Sequence, residues 1–97
     1  MWTLQASEPS GNGLTFRIVA DSVKTIGRAA GADFVVDAAL VSRVHCRLTL
    51  TGDRLEVEDL GSTNGTWVNG TKVARAALAE GDRLTVGRVE FEVFRRA

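Results

Sequence analysis

The chain has 97 residues, 44% of them hydrophobic and 25% charged, and its 12 basic side chains are balanced by 12 acidic ones. That length allows one core but not a two-domain cleft, and zero net charge speaks against nucleic acid as the partner, since a basic excess supplies most of that affinity. A single cysteine, Cys46, excludes an internal disulfide and leaves no cysteine pair to hold a metal, so neither metal nor cofactor is expected.

Trp2–Ala6 is the first strand candidate. No basic, apolar leader precedes it and no segment approaches membrane-spanning length, so the expectation is a cytoplasmic protein without membrane insertion. A turn is expected at Gly11-Asn12-Gly13. Leu14, Phe16 and Ile18 then alternate with Thr15 and Arg17, the pattern of a half-buried strand. Val23–Ile26 and Phe34–Val36 are weaker strands. Cys46, Leu48 and Leu50 alternate with Arg47 and Thr49. After a turn at Thr51-Gly52-Asp53, Leu55 and Val57 alternate with Glu56 and Glu58.

In Trp67–Val73 two short apolar runs are separated by Asn69-Gly70 alone. Both residue types tolerate positive φ, so a type I′ hairpin is expected there. Ala74–Glu80 reads as one short helical turn ahead of Gly81-Asp82, a length at which a helix scarcely stands alone. Leu84 and Val86, then Val89, Phe91 and Val93, complete the alternating runs. Many short strands with regular turns imply an all-β sandwich or barrel in one domain over residues 1–97.

Two connections carry more chemistry than a connector needs. Gly27–Arg43 holds Gly27-Arg28 directly after a strand and Ser42-Arg43-Val44-His45 at its far end. An arginine at a strand end can present its fork to phosphate. The run Ser62-Thr63-Asn64-Gly65-Thr66 suits a tight turn, yet it also offers hydroxyl, amide and backbone donors fit for an anion or a peptide. Ser42, His45 and Asp59 would be the members of a hydrolytic triad, but no GxSxG flanks the serine and the spacing is that of no nucleophile elbow. Cys46 lies on the apolar face of its strand and reads as an inert core thiol.

Taken in order, Gly27-Arg28, Ser42-Arg43-x-His45, Asp59-Leu-Gly-Ser-Thr-Asn-Gly-Thr66, Asn69-Gly70 and Leu78-x-x-Gly81-Asp82-x-Leu84-x-Val86-Gly87 resemble the forkhead-associated (FHA) domain, over about residues 14–94. The resemblance implies a twisted sandwich of two large, mostly antiparallel sheets, with functional loops at one end that recognise phosphothreonine in an extended peptide. It assigns Arg28, Ser42, Arg43 and Thr63 to the phosphate and Asn64 to the peptide backbone beside it. Gly27, His45, Gly65, Asn69 and Gly70 are scaffold, and Ser62 shapes the turn. Selectivity falls to the loop before Ser42, with Leu40 and Val41, and favours an apolar ligand residue three positions after the phosphothreonine. The resemblance implies no enzyme and no cofactor. Since the first strand begins at Trp2, the ligand is expected in trans, on a protein phosphorylated by a Ser/Thr kinase. The alternative is a phosphate-independent interaction or oligomerisation module that docks partners by a sheet face or edge.

Overall fold

The computed structural model describes residues 1–7 and 14–96, so the turn expected at Gly11-Asn12-Gly13 lies outside the described residues. Eleven strands follow one another: β1 (Trp2–Ala6), β2 (Thr15–Ile18), β3 (Ser22–Gly27), β4 (Phe34–Val35), β5 (Cys46–Thr51), β6 (Arg54–Asp59), β7 (Thr66–Val68), β8 (Thr71–Lys72), β9 (Arg75–Leu78), β10 (Arg83–Val86) and β11 (Val89–Arg95). They form a six-stranded sheet in the order β2-β1-β11-β10-β7-β8 and a five-stranded sheet in the order β4-β3-β5-β6-β9. Among the described residues only β3 and β4 pair in parallel.

Alternation in the sequence becomes alternation of faces. Cys46, Leu48 and Leu50 of β5 point inward, with Arg47 and Thr49 half-buried between them. Leu55 and Val57, Leu84 and Val86, and Val89, Phe91 and Val93 do the same on their strands. The two inner faces meet in a core that includes Leu4, Ile18, Ile26, Leu48, Leu84 and Phe91. Phe16 closes one side, stacked on Phe34 of the opposite sheet at 4.5 Å between ring centres and tilted against Phe91 at 5.6 Å.

The hairpin expected at Asn69-Gly70 forms, with φ of 51° at Asn69 and 83° at Gly70. Asn69 then ties this hairpin to the next turn. Its Nδ2 donates to Asp82 Oδ1 at 3.0 Å and its Oδ1 accepts the Arg83 N–H at 2.9 Å.

The helical turn expected at Ala74–Glu80 is a strand instead. β9 pairs with the edge of β6, Leu55 opposite Leu78 and Val57 opposite Ala76. Alanine and leucine favour helix, but one isolated turn gains too little to nucleate. Pairing on an open sheet edge satisfies the same backbone and buries Leu78.

Cys46 is fully buried, and burial pushes its thiol up to about 12, with the nearby Asp59 charge adding to the effect and a Thr66 hydrogen bond opposing it. Thiol reagents attack the thiolate. Native protein is therefore expected to resist labelling by a maleimide or disulfide reagent at pH 8 and to react stoichiometrically once unfolded; rapid native labelling would show that this part of the core opens.

Candidate functional site

Register brings the two chemically rich connections together. Ile26 pairs with Cys46 and Cys46 with Asp59, so the end of β3, the start of β5 and the end of β6 lie at one end of the five-stranded sheet. In the other sheet Val86 pairs with Thr66. The segment after Gly27, the loop before Cys46, the loop from Asp59 to Thr66 and the Gly87–Arg88 turn therefore meet at one end of the sandwich.

Gly27 allows the first two to zip together. A Cβ at Gly27 would lie 2.1 Å from the Arg43 carbonyl oxygen, which no side chain survives. Beside it the Arg28 N–H donates to Ser42 O at 2.9 Å and the Ala29 N–H to Arg43 O at 3.1 Å. Arg28 Nε donates to Val41 O at 3.1 Å. That bond aims the guanidinium, and its terminal nitrogens have no partner among the described residues. Arg28, Ala29 and Arg43 line a depression of about 260 Å³, and among the described residues neither arginine has a carboxylate partner.

Two side chains then join this segment to the Asp59–Thr66 loop. Ser42 Oγ accepts the Thr63 N–H at 3.0 Å, which leaves the hydroxyl hydrogen to donate outward. His45, fully buried, accepts the Ser42 N–H at Nδ1 at 3.0 Å, so its Nε2–H donates to Gly65 O at 2.8 Å. One imidazole thus holds both loops, and neither nitrogen is left for proton transfer from the Ser42 hydroxyl. The triad geometry considered from the sequence is absent.

Asn64 is exposed and reaches across the same seam, Nδ2 donating to Leu40 O at 3.1 Å. Its Oδ1 has no partner among the described residues, and neither has the Thr63 hydroxyl. Ser62 points the other way. Its hydroxyl donates to Asp59 Oδ1 at 2.5 Å and accepts the Gly65 N–H at 3.0 Å. Gly65 itself sits at φ +91°, and a Cβ there would be 3.0 Å from both Lys72 Cε and Trp67 Nε1.

The loop before Ser42 meets the other two segments through the carbonyls of Leu40 and Val41. The Val41 side chain is buried in the core, and it serves the site through the carbonyl that Arg28 grips. Leu40 is half-buried and serves through its carbonyl as well.

The residue whose role the sequence left unassigned is Asp59. Its Oδ2 accepts the N–H groups of Gly61 at 3.0 Å and Ser62 at 3.1 Å, and its Oδ1 accepts the hydroxyls of Ser62 and of buried Thr66, the latter at 2.7 Å. Burial by itself would raise this carboxyl, but the hydrogen bonds from Ser62, Thr66 and Gly61 outweigh it and hold the group below its ordinary value. An Asp two residues before a turn glycine and serine is an Asx-turn signal, the cue that could have found it.

Known proteins share this chain's sequence pattern and fold. The model of the FHA domain matches residues 24–87. The chain is 42% identical over 62 residues to the glycogen accumulation regulator GarA of Mycolicibacterium smegmatis, covering 64% of this chain and 39% of that protein. It is 37% identical over 91 residues to the FHA domain-containing protein FhaA of Mycobacterium tuberculosis, covering 94% of this chain and 17% of that one. It therefore spans less than half the length of either relative. Among solved structures, one from a structural and functional study of phosphothreonine-dependent FHA domain interactions is 34% identical, with a TM-score of 0.90 over 99% of this chain and 97% of that one. The FhaA FHA domain complexed with the intracellular domain of Rv3910 is 35% identical, with a TM-score of 0.87 over 96% of this chain and 99% of that one. With the family model covering about two thirds of its length and the fold matched end to end, the chain belongs to the FHA domain family.

Proposed function

We propose that the chain is a non-catalytic module that binds phosphothreonine within an extended segment of another protein, in a cytoplasmic pathway run by a Ser/Thr kinase. One observation carries this reading. Arg28 and Arg43 lie side by side at the loop end, against the seam that holds Ser42 and Thr63, and neither has a carboxylate partner among the described residues. A phosphothreonine brings nearly two negative charges and three acceptor oxygens. The Arg28 fork and Arg43 supply charge-assisted bonds to it. The Ser42 and Thr63 hydroxyls donate to its remaining oxygens, and Asn64 takes the flanking peptide backbone with Oδ1. Gly27, His45, Gly65, Asn69 and Gly70 support these groups without touching ligand. The structure from a study of phosphothreonine-dependent FHA domain interactions, 34% identical to this chain, supports the same reading.

The test is titration calorimetry with a degenerate phosphothreonine peptide pool and its unphosphorylated twin. Charge-assisted bonds are worth ~1.5–3 kcal/mol each, so loss of the phosphate is expected to weaken binding by at least about tenfold. Equal affinity for both pools would overturn the reading and favour a phosphate-independent module.

A further inference from the structure

Next to Asn64, a second concavity runs down the outer face of the six-stranded sheet. It has a volume of about 450 Å³ and is lined by Asn64, Trp67, Gly70, Thr85, Gly87 and Arg88. None of these is a carboxylate. Trp67 and Thr85 sit opposite one another on β7 and β10 and form the floor. The Trp67 ring is half-buried, and its Nε1 donates to Asn64 O at 3.3 Å, which couples the floor to the residue assigned to the peptide backbone.

Both ends of this floor are cationic. Lys72 faces Trp67 across the β7–β8 pair, and its stem lies over Gly65, where a Cβ would meet Cε at 3.0 Å. Arg88 is the tip of the two-residue turn between Val86 and Val89. Gly87, at φ +64°, fixes that turn against the Asp37–Val41 loop, since a Cβ there would be 2.5 Å from Leu40 O. Neither Lys72 nor Arg88 has an ion-pair partner among the described residues. The nearest acid along the row is Glu90, opposite Thr85, and Arg83 already holds it.

We propose that this groove receives the stretch of the phosphothreonine ligand that leaves Asn64, and that Arg88, with Lys72, makes it select an acidic side chain whose stem packs on Trp67. The inference rests on the phosphothreonine reading and adds the chemistry of the neighbouring ligand residues. Continuity through Asn64 and charge complementarity single out this occupant. Two cations flanking an aromatic floor suit a carboxylate on an aliphatic stem, and a lysine in the same place would meet like charge.

The experiment uses a phosphothreonine peptide in an alanine background, with a single Glu or Lys placed in turn at each of the four positions on either side. At one position the protein is expected to bind the Glu peptide about tenfold more tightly than the Lys peptide, the size of one well-placed charge contrast. In Arg88→Glu that ratio is expected to invert at the same position and nowhere else. A Glu-to-Lys ratio unchanged by Arg88→Glu at all eight positions would overturn the groove while leaving the phosphate site intact. Failure of the all-alanine phosphopeptide to bind the unmodified protein would overturn both. The ratio is independent of any general loss of affinity, so a structural effect of the variant cannot imitate it.

Discussion

Replacing Arg28 by Ala is expected to weaken phosphothreonine-peptide binding by ~2–5 kcal/mol, which is roughly thirtyfold to a few thousandfold. The ligand phosphate would remain in the depression beside Arg43 with its main charge partner gone, and an unpaired charge there costs more than an exposed ion pair ever returns. The fold should lose less than the complex does. Arg28 is exposed, and its side chain gives the protein one hydrogen bond, from Nε to Val41 O. Losing such a bond costs about 0.5–1.5 kcal/mol, a fall in Tm of some degrees in a chain of this size. Arg28→Lys restores charge but neither the Nε donor nor the planar fork, so it should recover only part of the affinity. Calorimetry and a thermal melt on the same samples check both halves. Binding within twofold of the unmodified protein would mean that phosphate is held elsewhere.

Asp59 makes the complementary case, a residue that touches no ligand and on which the site depends. Asp59→Ala removes four hydrogen bonds at once and leaves the buried Thr66 hydroxyl only the weak acceptor Cys46 Sγ. Bonds to a charged acceptor contribute ~1.5–3 kcal/mol each, so a loss of several kcal/mol is expected. Asp59→Asn keeps the shape and one acceptor oxygen and should lose less, which keeps the prediction testable if the alanine variant fails to fold. In Asp59→Asn, peptide affinity should fall together with stability, because the same turn presents Thr63 and Asn64.

The pH dependence has a definite sign. Asp59 is held below its ordinary value of 3.8 in the folded chain. The unfolded state therefore binds the proton first, and the stability due to this carboxylate is fully present above about pH 5 and declines as pH falls through the unfolded and then the folded value. Asp33, held down chiefly by the Thr25 N–H although burial opposes it, and Glu58, held down by its hydrogen bond to Arg47, act in the same direction. The Asp59 share is thus the difference between the unmodified protein and Asp59→Asn, and it should shrink between pH 5 and pH 2 in chemical denaturation. A gap independent of pH would mean that the charge is not what holds the turn.

Much of the architecture was legible because it is local. Period-two alternation at Cys46–Leu50, Leu55–Val57, Leu84–Val86 and Val89–Val93 places inward and outward residues directly, and Asn69-Gly70 specifies its own turn. The segment at Ala74–Glu80 was misread because its conformation is decided by a partner strand about twenty residues away, and intrinsic propensity is a weak prior against pairing. The site divides in the same way. Motif order announces Arg28, Ser42 and Asn64, whereas the inward turn of Val41, the four bonds of Asp59 and the groove beside Trp67 arise only where segments distant in sequence are pressed together.

The imidazole of His45 joins the Ser42 and Gly65 backbones by bonds that lie wholly within the chain. Two recognition loops that share one buried pin cannot order themselves independently, so their configurational entropy is removed during folding rather than during association. Encounter should then resemble the docking of a rigid surface, with a rate near ~10⁵–10⁷ M⁻¹ s⁻¹ that rises as ionic strength falls. Ligands that differ in sequence around the phosphothreonine would arrive at similar speeds and be told apart by how long they stay.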